Sequence, residues 1–325
     1  MTCSKIFSGD LPELTYKIIN YLQNDYSTLH SCILVNRLWC RLAIPLLWEN
    51  PFSIGTGNYN FIKIYLNNLD DDLKTKLNEY KIINNSLPSN LLFNYLKFLK
   101  FLNINTFILY VEKWFEVAIK KNTVARPNNL TDICVPLFKI FIENEINLYT
   151  LEINVSGYRN FDLTCFDKIL EFDSQIAFQI SSLTENIKHN LNYLSINDDP
   201  SSVKIRKNST LLQDLGRALP SKLEYLSLNL FIKVNDFMIF LEDSQDIVIN
   251  KLIIIQRGWD DILHYIKEYI MKEKRIKYLA FMKLKNSIEL YDLKNEVKEF
   301  KLHNIIVQNY VKLYINAHDF IVNTD

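Results

Sequence analysis

Residues 11–48 read LPELTYKIINYLQNDYSTLHSCILVNRLWCRLAIPLLW. Pro12 suits the first turn of a helix, where its missing N–H costs nothing. Glu13 beside it complements the positive end of the helix dipole. Leu11, Leu14, Ile18 and Leu22 follow at spacings of three and four, which predicts one apolar face. Asp25 or Ser27 can cap a second helix whose face is Leu29, Cys32 and Ile33. A third helix is expected from Asn36 to Ile44, carrying Leu38, Trp39 and Leu42. Pro45 is expected to interrupt it, and Leu46, Leu47 and Trp48 close the segment.

Three short helices in about forty residues bury little apolar surface alone. The large apolar side chains here exceed what such a bundle can hide, which points to a contact with the rest of the chain or with another protein. The segment resembles an F-box. The resemblance rests on Leu11-Pro12, the first helix from Ile18 to Leu22, the leucine-bearing second helix from Leu29 to Leu34, and Val35-Asn36-Arg37-Leu38-Trp39. Cys32 ahead of Val35, with the closing Pro45-Leu46-Leu47-Trp48, is similar to the expanded F-box family of arbuscular mycorrhizal fungi. The match covers residues 9–52 and departs from the family at its start, where Glu13 directly follows Pro12.

The resemblance implies that this segment docks on the adaptor subunit of an SCF-type cullin–RING ubiquitin ligase and, through it, on a cullin. Carried over by position, Leu11, Pro12, Ile18, Leu22, Leu29, Val35 and Trp39 form the adaptor-facing set. Aliphatic anchors, a Trp and few charges suit a docking surface. Without the motif, the same residues would read as the ordinary core of a helical N-terminal domain; the motif favours the docking surface.

A second pattern lies further on. A unit of the form apolar-x-x-apolar-x-apolar occurs seven times: Leu96-Leu99-Phe101, Leu148-Leu151-Ile153, Leu191-Leu194-Ile196, Leu223-Leu226-Leu228, Ile249-Leu252-Ile254, Ile276-Leu279-Phe281 and Val297-Phe300-Leu302. Tyr193, Tyr225 and Tyr278 hold the same slot within their units. The alternation closing each unit predicts a short strand. Helical stretches lie between: one capped by Ser209 with Leu211, Leu215 and Leu219, one capped by Asn235 with Phe237, Phe240 and Leu241, and one striped by Trp259, Leu263, Ile266 and Ile270. Strand then helix, repeated, resembles a leucine-rich-repeat solenoid, with spacing that becomes regular only from Leu223 onward and an asparagine ladder present loosely at Asn197 and Asn229. An all-helical or mixed domain without a solenoid is the alternative. On a solenoid the exposed sheet face binds, so Glu152, Ser195, Ser227 and Lys301, alternating with the leucines, are the candidate target contacts.

The fold expected is therefore α+β or α/β repeat: a three-helix F-box over 1–52, a linker with connecting helices over 53–90, and a leucine-rich-repeat-like target-binding domain over 91–325. Gly55-Thr56-Gly57 lacks the Lys-Ser/Thr of a phosphate loop. Asp70-Asp71-Asp72 fits no calcium loop and reads as a helix start or solvated turn.

Composition narrows function. Lys+Arg and Asp+Glu are both 37, and a neutral chain is a poor candidate for coating nucleic acid or an anionic membrane. Cys3, Cys32, Cys40, Cys134 and Cys165 make no Cys-x-x-Cys pair and read as reduced thiols of an intracellular protein, cytoplasmic or nuclear. No signal-peptide core or ~18-residue apolar run occurs. His30, His189, His264, His303 and His318 are scattered, with no His-Glu-x-x-His, Gly-x-Ser-x-Gly or dinucleotide motif. The expectation is a non-catalytic receptor subunit with no cofactor and no metal, partnered by the SCF adaptor and a protein target. The alternatives are an adaptor-bound scaffold that directs no degradation, or a stand-alone interaction domain.

Overall fold

The computed structural model describes residues 11–53, 59–79, 91–122, 136–138, 140–141, 144, 146–155, 190–198, 209–270 and 275–322. These fall into two units. The first takes the residues up to Leu102 together with Leu109–Asn122; the second takes Asn103–Ile108 and everything from Pro136 onward.

The first unit opens with α1 (Pro12–Tyr21), α2 (Tyr26–Cys32) and α3 (Arg37–Leu47). Pro12 is the first residue of α1, as the sequence predicts. The Asp25 side chain caps α2 by accepting from the Thr28 N–H, and Asn36 caps α3 by accepting from the Trp39 N–H. Pro45 does not end α3: the helix runs through it to Leu47. A proline this close to a helix end removes one bond without breaking the ladder above it.

α3 packs on both α1 and α2. The bundle core is Ile19, Leu29, Cys32, Trp39 and Ala43, with Leu22, Ile33, Leu42, Leu46 and Leu47 against it. Beyond α3 come α4 (Ile62–Leu66) and α5 (Asp71–Glu79), with Asp71 and Asp72 in the first turn of α5, where carboxylates favour the helix dipole. These two connecting helices are parted at Asn67–Asp70.

An aromatic cluster joins these pieces. The Trp48 ring lies 4.4 Å from Tyr95, 5.6 Å from Tyr65 and 6.2 Å from Phe61. Phe52 meets Tyr65 and Tyr110. The Glu49 carbonyl accepts from the N–H groups of Lys100 and Phe101, at the start of β1 (Phe101–Asn103). Residues 91–102 therefore belong with the helices, and the division falls at Leu102, later than the boundary near residue 90 read from composition. Tyr110 lies on α6 (Ile104–Asn122), whose first turn belongs to the second unit.

The second unit is mixed α/β around a mostly parallel sheet. β2 (Thr150–Val155), β3 (Tyr193–Asp198), β4 (Lys222–Leu230), β5 (Val248–Gln256) and β6 (Ile276–Lys283) lie side by side in chain order, all parallel. The repeated sequence unit becomes rows across the strands. Leu151, Leu194, Leu226, Leu252 and Leu279 are register partners in one row, and Ile153, Ile196, Leu228, Ile254 and Phe281 in the next. Two α-helical crossovers, α7 (Ser209–Ala218) and α8 (Val234–Asp243), join β3 to β4 and β4 to β5 and pack on each other. They approach closely at Gly216, where a Cβ would sit 2.9 Å from the Phe240 carbonyl oxygen.

The seventh repeat departs from the pattern. Val297, Phe300 and Leu302 lie on a helix, α9 (Lys294–Leu302), with Phe300 buried and Leu302 exposed. A spacing of three is common to both element types, and here no run of β-branched residues favours the strand. β6 instead gains two short partners, β7 (Ile288–Glu289), antiparallel, and β8 (Ile306–Val307), parallel.

Candidate functional site

The residues singled out from the sequence fall in two places, one in each unit. In the first unit, α1 divides its side chains sharply. Thr15 and Ile19 are buried, the Thr15 hydroxyl donating to the Leu11 carbonyl, while Leu11, Leu14, Tyr16 and Tyr21 are exposed and Ile18 is half-buried. The apolar face expected from Leu11, Leu14, Ile18 and Leu22 is thus mostly the outer one, with only Leu22 packed on the core. At the end of α2, Leu34 is 78% exposed and Val35 44%. Leu11, Pro12, Val35 and, in part, Ile18 lie where a partner can touch them.

Leu29 and Trp39 do not. Both are buried in the bundle core, so their apolar character serves the folding of this unit rather than its outer surface. Leu14, Tyr16, Tyr21 and Leu34 are exposed apolar groups that the adaptor-facing set omitted. Leu14 shares the spacing of Leu11 and Ile18, and Leu34 adjoins Val35, so proximity to the motif was the available signal. The Asp25 carboxyl at the α2 cap is held below its usual range, chiefly by the Thr28 hydroxyl at 2.6 Å and then by backbone N–H groups.

In the second unit, the sheet face opposite the leucine rows carries Glu152, Tyr193, Ser195, Tyr225 and Ser227. Ser195 pairs in register with Ser227, and both are buried. The open face expected for Ser195 and Ser227 is absent: both are buried, and α10 (Tyr310–Leu313) and α11 (Ala317–Val322), with Ile315 between them, pack on Tyr193 and Tyr225 of the same face. Lys301 is on α9 rather than on a strand.

Tyr193 and Tyr225 stack at the centre of this face, and Phe320 of α11 packs 5.2 Å from Tyr193. The Tyr193 hydroxyl lies 3.0 Å from the Ile315 carbonyl oxygen and 3.1 Å from Glu152 Oε1, one proton serving two acceptors. Glu152 also accepts from the Ala317 N–H at 3.1 Å and from the Asn103 amide at 2.7 Å. Burial first, and then the Glu152 carboxylate, push the Tyr193 hydroxyl well above the ordinary tyrosine value. Asparagines line the far ends of these strands: the Asn197 amide donates to Asn154 Oδ1 at 2.7 Å, and Arg257 donates to Asn229 Oδ1 at 2.7 Å.

The helix after β4 begins at Val234, not at an Asn235 cap. Its first N–H donates instead to Asp260 Oδ2, from the loop after β5, at 3.0 Å. Gly258 permits that approach, since a Cβ there would lie 2.7 Å from the Ile232 carbonyl oxygen. Trp259 is exposed in this loop, with the Lys285 ammonium over its ring, and is not part of the helical stripe read from the sequence. Ile266 and Ile270 of that stripe are buried on a π-helical turn.

Cys32 is buried and Cys40 half-buried, both as free thiols; Cys3, Cys134 and Cys165 lie outside the described residues, as does His189. His30 is exposed on α2, and His264 is 3.9 Å from Glu268 one turn on. Among the described residues no group of three His, Cys, Asp or Glu is placed to hold a metal ion, and no helix is long and apolar enough to cross a membrane. No protein-family model, no curated protein and no solved structure matches this chain.

Proposed function

We propose that this chain is the target-recognition subunit of an SCF-type cullin–RING ubiquitin ligase: α1–α3 are an F-box that docks on the adaptor, and the second unit, an irregular leucine-rich-repeat domain, selects a protein target. The observation that carries this reading is the exposed apolar set Leu11, Leu14, Leu34 and Val35 on a three-helix bundle whose core is already filled by Leu29 and Trp39. Such side chains, supported from below and free above, are suited to anchor a partner helix. The F-box resemblance of residues 9–52 names that partner as the adaptor.

In this reading the ligase chemistry belongs to the partners. The chain contributes proximity, holding a target lysine near a charged ubiquitin carrier and raising its effective concentration. Its compartment is the cytosol or the nucleus, where such ligases act.

Co-purification of the full chain with a fungal SCF adaptor tests the proposal. The expected result is a stable complex that Leu11→Ala with Pro12→Ala weakens at least tenfold and Leu34→Asp abolishes. A folded chain that binds no adaptor overturns the F-box reading. Adaptor binding without cullin recruitment makes the chain a scaffold rather than a receptor.

A further inference from the structure

The sheet face bearing Tyr193, Ser195, Tyr225 and Ser227 is roofed by Tyr310–Val322 of the same chain. The roof is one layer thick. Leu313 and Phe320 point inward and are buried, while Val311, Tyr314, Asn316 and Asp319 remain exposed.

The roof is held largely through its main chain. The Ile315 carbonyl accepts from Tyr193, the Ile315 N–H donates to the Tyr225 hydroxyl at 3.3 Å, and the Ala317 N–H donates to Glu152. None of these three bonds depends on which side chain stands at position 315 or 317. Side-chain selection comes from two buried anchors, Leu313 and Phe320, the latter packed on both tyrosine rings and on Tyr149, with Tyr310, Ile315 and Ala317 packed against the same cluster. Backbone bonds that set register, with one aromatic anchor in a pocket, are how a protein surface receives a peptide segment.

We propose that this face is a peptide-binding site, occupied in the free protein by Tyr310–Val322, and that a target segment of the same chemistry displaces it. The segment is a helical turn, an extended stretch over 314–316 and a second short helix, with an aromatic side chain five residues beyond the residue whose backbone the two tyrosines hold. Glu152 adds a charge requirement. When the Ala317 N–H leaves, the carboxylate keeps only Tyr193 and Asn103 as donors, so the incoming segment supplies an N–H or an ammonium there, and acidic segments are rejected. The inference rests on the receptor reading for calling the partner a ubiquitylation target; the binding chemistry stands without it.

Hydrogen exchange on the full wild-type chain is the first arm of the test. The Ile315 and Ala317 amides are expected to exchange at least 100-fold faster than those of Leu226 and Leu252, because the roof opens while the sheet stays closed. Equal rates overturn the proposal, since the roof then opens only with the whole unit. The second arm adds a labelled synthetic peptide of residues 309–322 to full-length Phe320→Ala and to the wild type. Binding to the variant at least tenfold tighter than to the wild type is expected, because the wild-type roof competes. A folded variant that takes up no peptide, or equal binding to both proteins, overturns it. Should the variant fail to fold, the exchange arm on the wild type decides. Adaptor co-purification is read separately, so a lost peptide site with adaptor capture intact defeats only this inference, and the reverse defeats only the ligase reading.

Discussion

The rings of Tyr193 and Tyr225 stack with 4.6 Å between centroids and 1° between planes, and their residues are register partners on adjacent parallel strands. In-register parallel pairing places like positions of successive repeats directly side by side, so two copies of one slot become a stacked pair. Both hydroxyls converge on Ile315, one donating to its carbonyl and the other accepting from its N–H. Tyr193→Phe keeps the stack but leaves the Ile315 carbonyl and Glu152 short of a donor, at an expected cost of about 1–3 kcal/mol. Tyr225→Phe removes one neutral hydrogen bond and costs about 0.5–1.5 kcal/mol. Because both act on the backbone of one residue, the double variant departs from additivity, which urea unfolding of the four proteins measures. Strict additivity would show that the two hydroxyls do not act on Ile315 together.

Alkaline pH probes the same burial. Burial holds the Tyr65, Tyr193 and Tyr225 hydroxyls un-ionised well above the ordinary value near 10. For an acid whose folded pKa is raised, the unfolded chain sheds its proton first, so the native state binds more protons at high pH. The stability from these groups is therefore complete below about pH 10 and falls above it, by about 1.4 kcal/mol per pH unit for each tyrosine. Titration followed by tyrosinate absorbance is expected to show at least three of the 18 tyrosines ionising only as the protein unfolds. Reversible ionisation of all of them in the folded state would contradict the burial.

Within the three-helix bundle, core and surface separate by mutation. Trp39→Ala empties a buried site and is expected to cost about 3–5 kcal/mol, enough to unfold so small a unit. Val35→Ala changes an exposed residue, and its effect on stability is expected within about 0.5 kcal/mol. Circular-dichroism melting of the full-length variants checks both. Loss of adaptor binding by Val35→Ala at unchanged melting temperature would assign Val35 to docking; loss by Trp39→Ala alone would reflect unfolding.

The contrast between Val35 and Trp39 shows where sequence reading reaches its limit. A three-residue period finds a helix, and capping residues such as Asp25 and Asn36 find its start, because both are local. Which apolar residue faces inward depends on where α3 lies, and that is not local. The same holds in the sheet. The repeat from Leu148 to Phe281 was legible as strands because each unit carries its own alternation, and the leucine rows follow from it. The closure of this face was not legible, because Tyr193 and Tyr225, which flank the buried Ser195 and Ser227 in the strands, are covered by residues about ninety or more positions away. Val297-Phe300-Leu302 fits the unit in letters only: the helix that contains it is charged, exposing Lys294, Lys298 and Lys301 and pairing Glu296 and Glu299 with Lys267.

Asp260 offers a last test of how neighbouring repeats are joined. Its carboxylate accepts from the Val234 N–H, doing for α8 what an N-terminal capping residue of the helix itself normally does. Lys233 stands at the cap position and supplies no side-chain acceptor. The bond therefore ties the loop after β5 to the helix after β4, so one interaction serves both helix start and repeat stacking. Asp260→Ala is expected to cost about 0.5–2 kcal/mol, and Asp260→Asn, which keeps an acceptor oxygen, about half of that or less. Lys233→Ser should partly rescue Asp260→Ala by returning a local cap. Chemical unfolding of the single and double variants measures the coupling. A serine at 233 that stabilises the wild type and the Asp260 variant equally would show that the carboxylate is not the cap.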